Sequence, residues 1–277
     1  MAGYDLHTHT DLSDGTTTPE ENVAAALELG LEGLGVTDHD TTAPFERARA
    51  AAEGSGLEVV LGTEFSAEHD GYSVHVLGYW IDAGDRPLQA EMDRLRNERY
   101  HRAEAIVAKF VDLGVPVDFG RVRELAGEAP IGRPHIAKAV VETGAVASTQ
   151  EVFDVYLADG GPAYVEKHAV DPVRAVELLR GAGGVAVLAH PGLYGARDGV
   201  GGTPDDLVEA MAAAGMVGIE ADHPDHTSEH RDRYRDLARG LDLVVTAGSD
   251  YHGEAKTNLL GSTTTPRAAV ELLRGAR

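Results

Sequence analysis

The sequence predicts an α/β protein whose core is a mainly parallel sheet of seven strands. Short apolar runs typical of strands recur along the chain, and alanine-rich helical patterns separate many of them. This alternation favours a parallel sheet, because a helix between two strands returns the chain to the edge where the first strand began. The predicted strands are Tyr4–His9, Leu34–Thr37, Glu58–Gly62, Ser73–Tyr79, Val185–Ala189, Val217–Glu220 and Leu243–Ala247.

Four helices are predicted to begin with the same signal, a capping side chain followed by proline. An N-cap oxygen satisfies a backbone N–H at the helix start, and proline fits the first helical position because its missing N–H costs nothing there. Thr18 and Glu21 also have the spacing of a capping box. The four pairs are Thr18-Pro19, Asp171-Pro172, Thr203-Pro204 and Thr265-Pro266.

The alternation of strands and helices breaks in two places. Only the polar segment Ala67–Gly71 separates the third and fourth strands, so this pair is predicted to form a hairpin. Residues 88–162 have helical periodicity and lack strand-like runs, so they are predicted to be a helical insertion that acts as a substrate-binding lid, with a purely structural lid as the alternative. Residues 1–87 and 163–277 are predicted to form the main domain. The predicted helices of the insertion are Leu88–Leu113, Arg121–Leu125, Arg133–Val141 and Thr149–Leu157.

Composition narrows the possible functions. The 277 residues include no cysteine, which excludes disulfides, thiolate zinc sites and catalytic thiols. Any metal must therefore be held by His, Asp and Glu, which suit Mn, Fe or Zn. The sequence has neither an apolar run long enough to span a membrane nor a signal-peptide pattern, so we expect a cytoplasmic protein. A formal net charge of −22 argues against long nucleic acids and anionic membranes as partners.

Polar residues that can bind metals follow the predicted strands. His7 and His9 stand two residues apart on an extended segment, so their imidazoles point to the same side. The carboxyl ends of parallel strands lie on one face of a barrel, which is the face that carries active sites. We therefore expect these side chains to converge. The further residues of this kind are Asp14, His39, Glu64, His75, His190, Asp250 and His252.

These segments resemble the motifs of the PHP family, named for polymerase and histidinol phosphatase. The resemblance extends from residue 5 to residue 252, with the motifs in the family's order. It implies a distorted (β/α)7 TIM-like barrel that holds a trinuclear metal centre. The motifs are His7-Thr8-His9 with Ser13-Asp14-Gly15, Thr37-Asp38-His39, Glu64 with His75, and Ser249-Asp250-Tyr251-His252.

The resemblance implies three divalent metal ions, each of which is Mn, Fe or Zn. Glu64 is expected to bridge the first two ions. For His75 the alternative is a buried, hydrogen-bonded histidine, because its strand need not run parallel to the others. The implied ligands are His7, His9, Glu64 and Asp250 for the first ion, Glu64, His75 and His190 for the second, and Asp14, His39 and His252 for the third.

Such a centre suits the hydrolysis of phosphate esters. Three divalent ions outweigh the charge of three carboxylates, so the cluster stays cationic and can hold a phosphoryl group that the acidic surface repels. A metal-bridging water becomes a hydroxide nucleophile near neutral pH, and the ions polarise the phosphoryl oxygens. Asp250 either orients this water or serves only as a ligand. His223 either protonates the leaving group or makes a hydrogen bond without a catalytic role.

The insertion contains a candidate site for a second phosphate. Arg133 and His135 flank a predicted helix start, where backbone N–H groups and a guanidinium suit an anion, although a solvated surface Arg is the alternative. The segment from Ile131 to Ala137 resembles a signature of PHP proteins that act on nucleotides. The resemblance implies that Arg133 and His135 contact a substrate phosphate. Lys167 and His168 are predicted to close over the same pocket, with ordinary loop polarity as the alternative. His226 is predicted to line the barrel mouth at the end of the sixth strand, together with His223.

The sequence thus predicts a metal-dependent phosphoesterase that hydrolyses a nucleotide phosphomonoester. The expected substrate is the 3′-phosphate of a 3′,5′-nucleoside bisphosphate, or the end of a very short oligonucleotide such as short RNA. One alternative is a histidinol phosphate phosphatase that uses the same metals. A C–N hydrolase and a non-catalytic, metal-stabilised interaction module are two further alternatives.

Overall fold

The computed structural model describes residues 3–127, 131–158, 160–166, 169–193 and 201–277. One sheet contains all seven predicted strands, and its neighbours follow the order of the chain. Every pair is parallel except the two that involve the fourth strand, which runs antiparallel to both of its neighbours. The strands are β1 (Tyr4–Asp5), β2 (Gly33–Val36), β3 (Glu58–His69), β4 (Tyr72–Tyr79), β5 (Val185–Leu188), β6 (Gly218–Asp222) and β7 (Val244–Ala247).

The sheet curves into a nearly closed barrel, as predicted. Beyond the regular parts of β1 and β7, Thr8 forms an isolated parallel bridge with Tyr251. The backbone N–H of His9 donates to the carbonyl of Tyr251 at 2.9 Å. The two ends of the sheet therefore meet beside the predicted metal ligands His7, His9 and Asp250.

The predicted hairpin between β3 and β4 is confirmed, but its turn is shorter than expected. Ala67 pairs with Val74 and His69 with Tyr72, so β3 continues seven residues past the predicted end at Gly62. The turn consists of Asp70 and Gly71, whose φ angles are 48° and 82°. Two residues with positive φ match the right-handed twist of the flanking strands, which explains why polar residues near the turn still pair.

Helices occupy the connections and the insertion. Within the described part of the chain, none is long and apolar enough to cross a membrane. The last insertion helix continues into one π-helical turn, Val152–Tyr156. The helices are α1 (Pro19–Glu28), α2 (Phe45–Ala51), α3 (Arg86–Asp112), α4 (Phe119–Ala126), α5 (Arg133–Glu142), α6 (Thr149–Glu151), α7 (Pro172–Gly181), α8 (Asp205–Ala213), α9 (Ser228–Gly240) and α10 (Arg267–Gly275).

Two of the four predicted helix starts are confirmed. Thr18 caps α1 in a capping box with Glu21, and Asp171 accepts hydrogen bonds at the start of α7. The prediction was wrong for Thr203 and Thr265, because α8 and α10 begin one residue after the proline. Their hydroxyls serve other partners: Thr265 exchanges two 2.8 Å hydrogen bonds with the backbone of Ala247.

The chain divides into two compact units. The first comprises residues 1–92 and 169–277 and contains the sheet, while the second comprises residues 93–168 and overlaps the predicted insertion. The second unit is helical and has its own apolar core, formed by buried side chains such as Ile106, Phe110, Ile136 and Val140.

The core of the first unit explains where its polar site lies. Leu6, Val60, Leu77 and Val187 are fully buried and pack in one apolar cluster, which also includes residues of α10. Further along the same strands the buried residues become polar, as Leu6 is followed by the buried His7. Burying polar groups costs free energy unless they find partners. The polar end of the barrel is therefore the candidate functional site.

Candidate metal centre

The structure brings the nine predicted metal ligands together at this end of the barrel. Ligand atoms within each of three groups lie no more than 4.8 Å apart. His190 lies outside these groups, but its Nε2 is 2.8 Å from Oε1 of Glu64. Asp14 is the most exposed ligand, with 43% of its side chain accessible. The groups are His7, His9, Glu64 and Asp250; His9, Asp14, His39 and His252; and His39, Glu64 and His75.

Glu64 lies at the centre of the cluster, and its two oxygens face different imidazoles. Oε1 is 2.7 Å from Nδ1 of His75 and 2.8 Å from Nε2 of His190. Oε2 is 3.1 Å from Nε2 of His9 and 3.3 Å from Nε2 of His7. This division is the geometry expected of a carboxylate that bridges two ions.

His75 reaches the cluster although its strand runs against its neighbours. On β4 it pairs with Ser66 of β3, two residues beyond Glu64. Its Nδ1 faces Glu64, while its Nε2 is 3.3 Å from the hydroxyl of Ser73. The antiparallel strand therefore does not remove His75 from the site, and its role as a ligand stays a prediction.

The rings of His7 and His9 provide a direct test of whether a cation fits. Their Nε2 atoms face each other at 3.1 Å. Nδ1 of His7 lies 3.1 Å from both oxygens of Glu220, so in the neutral ring it carries the proton and leaves a lone pair on Nε2. Nδ1 of His9 lies 3.3 Å from Ser13 Oγ and from Asp14 Oδ1. Two Nε2 lone pairs that oppose each other repel unless a cation lies between them.

Buried oxygen and nitrogen atoms without hydrogen-bond partners also indicate that a cation fits here. Oδ1 of Asp250 lies 3.4 Å from Nε2 of both His7 and His9, and among the described residues it has no hydrogen-bond partner. Nε2 of His252 is also without one in that part of the chain, since its Nδ1 donates to the carbonyl of Asp250. Buried atoms of this kind normally have partners. Imidazoles and carboxylates arranged in this way fit divalent ions such as Mn, Fe or Zn.

The charges of the site attract protons when metals are absent. Burial lowers the pKa of His7, but Glu220, Glu64 and Asp250 outweigh it and raise that pKa to about 10. Burial raises the pKa of Glu64, yet the surrounding imidazoles hold it well below its usual range. Burial lowers the pKa of His39 to about 3. Glu64 is thus ionised. In the metal-free protein, the additional proton on His7 balances part of the negative charge that a metal ion would balance.

Two of the predicted ligands have unusual backbone conformations. Asp250 has a φ of 52° and His190 a φ of 22°, in the left-handed region that residues other than glycine seldom adopt. Neighbouring hydrogen bonds hold both. Ser249 donates from its backbone N–H and its hydroxyl to Asp5, at 2.9 and 2.6 Å, and the N–H of His190 donates to Glu220 at 3.0 Å. Such strain is commonly retained at functional sites.

Four further residues belong to this site and were not predicted from the sequence: Asp5, Asp38, Glu220 and Lys256. Asp5 binds the loop that carries Asp250, and Asp38 accepts from the N–H and hydroxyl of Thr10 at 3.0 and 2.8 Å. A signal existed for Asp5, because it lies two residues before His7 and faces the same side of the strand. Glu220 contacts His7, and Lys256 contacts Asp250. No local sequence pattern indicates either contact, because the fold brings the partners together.

His223 and His226 differ in their hydrogen bonds. Nδ1 of His223 accepts from the N–H of Asp225 at 3.2 Å, so its proton lies on Nε2, 3.5 Å from Oδ2 of Asp250. His226 uses both nitrogens on backbone groups: Nδ1 donates to Ala221 and Nε2 accepts from Gly192. His226 thus connects β6 with the loop after His190, and its predicted contact with substrate stays a prediction.

In the helical unit, α5 begins at Arg133 as predicted. Nδ1 of His135 accepts from the N–H of Gly132 at 3.0 Å, and the guanidinium carbon of Arg133 is 5.9 Å from the ring centroid of Phe153. The contact between Arg133 and Phe153 joins the start of α5 to the π-helical turn. Lys167 and His168 lie outside the described residues. The phosphate contacts of Arg133 and His135 stay predictions.

A nearly closed α/β barrel with buried His, Asp and Glu converging at one end is the architecture of a metal-dependent hydrolase. The chain belongs to the PHP family. The family model for the PHP domain matches residues 5–116. The family expected from the sequence motifs is therefore confirmed.

The chain is similar to three bacterial enzymes over most of its length. It is 35% identical to a 3′,5′-nucleoside bisphosphate phosphatase of Chromobacterium violaceum, over 91% of this chain and 88% of the relative. It is 32% identical to a 5′-3′ exoribonuclease of Haemophilus influenzae, over 90% and 89%. It is 35% identical to a phosphoribosyl 1,2-cyclic phosphate 1,2-diphosphodiesterase of Eggerthella lenta, over 90% and 94%.

A solved structure from Bifidobacterium adolescentis, described as a metal-dependent phosphoesterase, is similar throughout. It superposes with a TM-score of 0.89 and is 33% identical, over 99% of this chain and 96% of that one. The protein is thus a hydrolase that acts on phosphoric ester bonds, as predicted, and the alternative of a non-catalytic module is set aside.

Proposed function

We propose that the protein removes the 3′-phosphate from 3′,5′-nucleoside bisphosphates with three divalent ions in the barrel mouth. The observation that carries the phosphatase chemistry is the division of Glu64 between two sets of imidazoles. One carboxylate that bridges two ions holds them a fixed short distance apart. Paired ions of this kind suit the displacement of an alkoxide from phosphorus, because both the attacking and the leaving oxygen gain stabilisation.

The proposed ligands fall into three sets. When bound, the divalent ions supply Lewis acidity and an activated water. The protein fixes the rings that receive them, since Glu220 orients His7 and the carbonyl of Asp250 orients His252. The sets are His7, His9, Glu64 and Asp250; Glu64, His75 and His190; and Asp14, His39 and His252.

Asp250 and His223 are the proposed proton-handling pair. Oδ1 of Asp250 faces His7 and His9, where it can orient the attacking water. Oδ2 lies 3.5 Å from Nε2 of His223, which carries a proton in the neutral ring. His223 is therefore proposed to donate a hydrogen bond from Nε2 to the departing 3′-oxygen of the nucleoside, which takes its final proton from water.

A second, uncleaved phosphate is proposed to bind Arg133 and His135. Nδ1 of His135 accepts from the N–H of Gly132, which fixes this ring at the start of α5 beside Arg133. The start of α5 adds backbone N–H groups, which favour an anion. Support for a substrate with two phosphates comes from the Chromobacterium violaceum relative, whose name specifies a nucleoside bisphosphate.

The test is a hydrolysis assay of the purified protein loaded with Mn, Fe or Zn in turn, in which chromatography measures substrate loss and identifies each product. The substrates are 3′,5′-nucleoside bisphosphates, mononucleotides, dinucleotides, a ribose 1,2-cyclic phosphate and histidinol phosphate. The expected result is the highest kcat/KM for a bisphosphate, with the nucleoside 5′-monophosphate as product. Preference for short RNA ends, for the cyclic phosphate or for histidinol phosphate would contradict the assignment.

Arg133→Ala separates nucleotide recognition from metal chemistry. It should lower kcat/KM for a bisphosphate about 10- to 100-fold, because a charge-assisted hydrogen bond is lost. It should change the rate with histidinol phosphate little, since that substrate has no second phosphate. Arg174→Ala is the matched control, because Arg174 is exposed and its guanidinium pairs with Glu177 on its own helix. Equal losses on both substrates would contradict the role of Arg133.

A further inference from the structure

We infer that Glu220 is a positioning residue that sets the proton position of His7 and the backbone of His190. Through these two groups it controls metal affinity at two of the three proposed sites. The inference rests on the metal centre proposed above. Glu220 lies on β6 and only 1% of its side chain is accessible.

The contact with His7 determines which ring nitrogen can bind a metal. Both oxygens of Glu220 lie 3.1 Å from Nδ1 of His7. A carboxylate only accepts, so the neutral ring keeps its proton on Nδ1 and presents the lone pair of Nε2. Nε2 is the atom that faces His9, Glu64 and Asp250. A carboxylate behind a metal-binding imidazole also strengthens the imidazole as a ligand.

The contact with His190 connects the same carboxylate to another site. The backbone N–H of His190 donates to Oε2 of Glu220 at 3.0 Å. His190 has a φ of 22°, and this hydrogen bond helps to hold it there. The ring of His190 then places Nε2 2.8 Å from Oε1 of Glu64. One buried carboxylate therefore positions a ligand of the first ion and a ligand of the second.

The backbone at Gly248 packs closely against the His7–Glu220 pair. A Cβ on Gly248 would lie 2.5 Å from Oε1 of Glu220 and 2.3 Å from Cβ of His7. Real Cβ atoms do not approach other atoms so closely, so only glycine fits between the end of β7 and this pair. The His7–Glu220 contact is thus supported by three strands, β1, β6 and β7.

Glu220→Gln tests the inference because it keeps the shape but not the two acceptors. Glutamine has one carbonyl oxygen, and Glu220 accepts from both His7 and His190. If that oxygen takes the N–H of His190, the amide NH2 faces Nδ1 of His7. The ring then prefers its proton on Nε2, which blocks the lone pair that a metal needs.

The experiment measures metal content by mass spectrometry and the absorption spectrum of the cobalt-loaded protein. Loss of the carboxylate should weaken metal binding about 10- to 100-fold and change the cobalt spectrum. Glu209→Gln is the control, because Glu209 is an exposed residue on α8. Glu220→Asp retains a carboxylate and should bind metals with an affinity between those of the wild type and Glu220→Gln.

The outcomes distinguish this inference from the proposed function. If wild-type protein binds no divalent metal, the proposed metal centre itself fails. If wild-type protein binds metal and Glu220→Gln has the same content and cobalt spectrum, Glu220 has no positioning role. If Glu220→Gln does not fold, the test is made with Glu220→Asp. An aspartate variant that folds and has the metal affinity and cobalt spectrum of the wild type would overturn the inference.

Discussion

Lys256 donates from Nζ to Oδ2 of Asp250 at 2.6 Å. The other oxygen of this carboxylate, Oδ1, faces His7 and His9. The lysine thus holds the outer oxygen and leaves the inner one for the site. Because 41% of the Lys256 side chain is accessible, its charge lies at the mouth and not in the apolar core. An ion pair to a nearly buried carboxylate decides which way Asp250 points.

Replacement of Lys256 should therefore impair the enzyme through Asp250. For Lys256→Met we expect kcat to fall about 10- to 100-fold, the effect of losing one hydrogen bond to a charged group. Phosphate release with saturating metal and substrate measures it. Lys138→Met, at an exposed position of α5, is the control. A Lys256→Met protein with wild-type kcat would show that Asp250 is oriented without the lysine.

The metal-free protein should lose stability as the pH rises from about 6.5 to 10. The folded protein raises the pKa of His7 from 6.5 to about 10 through Glu220, Glu64 and Asp250. A group whose pKa is higher in the folded state stabilises the fold fully below its unfolded pKa, and this contribution is lost as the pH rises through the folded pKa. Thermal unfolding of the metal-free protein across this range measures the effect.

A His7→Gln variant provides the control for this pH dependence. It should unfold with a Tm that changes less between pH 6.5 and 10, because the titrating ring is gone. Metal-loaded wild type should also show a shallower slope, since the ions replace the proton. A metal-free wild type whose Tm is constant over this range would contradict the raised pKa.

Gly248→Ala should damage the fold and the metal centre together. The added methyl would meet Cβ of His7 and Oε1 of Glu220 well inside contact distance. Overpacking of this kind costs about 1–3 kcal/mol, so we expect a lower free energy of unfolding in urea and reduced metal content. Gly240→Ala at the end of α9 is the matched control, because nothing lies within 4 Å of its new methyl. Equal effects of the two substitutions would exclude the proposed clash.

Glu64→Gln should abolish more than one metal site at once. Glu64 contacts five histidines, and an amide offers one acceptor oxygen where the carboxylate offers two. We expect the first and second ions to be lost and phosphate release to fall at least about 1,000-fold, the scale of several kcal/mol of charge stabilisation. His252→Ala should mainly affect the third ion. Metal counts by mass spectrometry distinguish the two variants, and loss of a single ion from Glu64→Gln would contradict bridging.

Much of the barrel end of the molecule is predictable from local rules. The spacing of His7 and His9 places both rings on one side of an extended chain, and the structure puts their Nε2 atoms 3.1 Å apart. The hairpin follows from a segment too short for a crossover helix. The two-residue turn was not predicted. Ala67 and His69 lie in the strand because they pair with residues of the neighbouring strand, whatever their own polarity.

The contacts of the site residues that were not predicted depend on the folded structure and not on a local sequence pattern. Glu220 contacts His7 from 213 positions away, and its run of apolar neighbours reads as an ordinary buried strand. Lys256 follows the last motif in a polar loop with no periodic pattern. Thr203 and Thr265 carry the sequence signal of a helix cap, but strand and loop carbonyls took their hydroxyls instead. Tertiary contacts outweighed the local preference in each case.

The closure of the sheet between Thr8 and Tyr251 has a consequence for how the protein acquires its metals. Glu64 and His75 are only 11 residues apart and meet within one hairpin, which is a fast local event in folding. The first group needs His7 and Asp250, from opposite ends of the chain, and forms only when the two edges of the sheet have met. Full metal affinity should therefore appear late in folding and report that the barrel has closed.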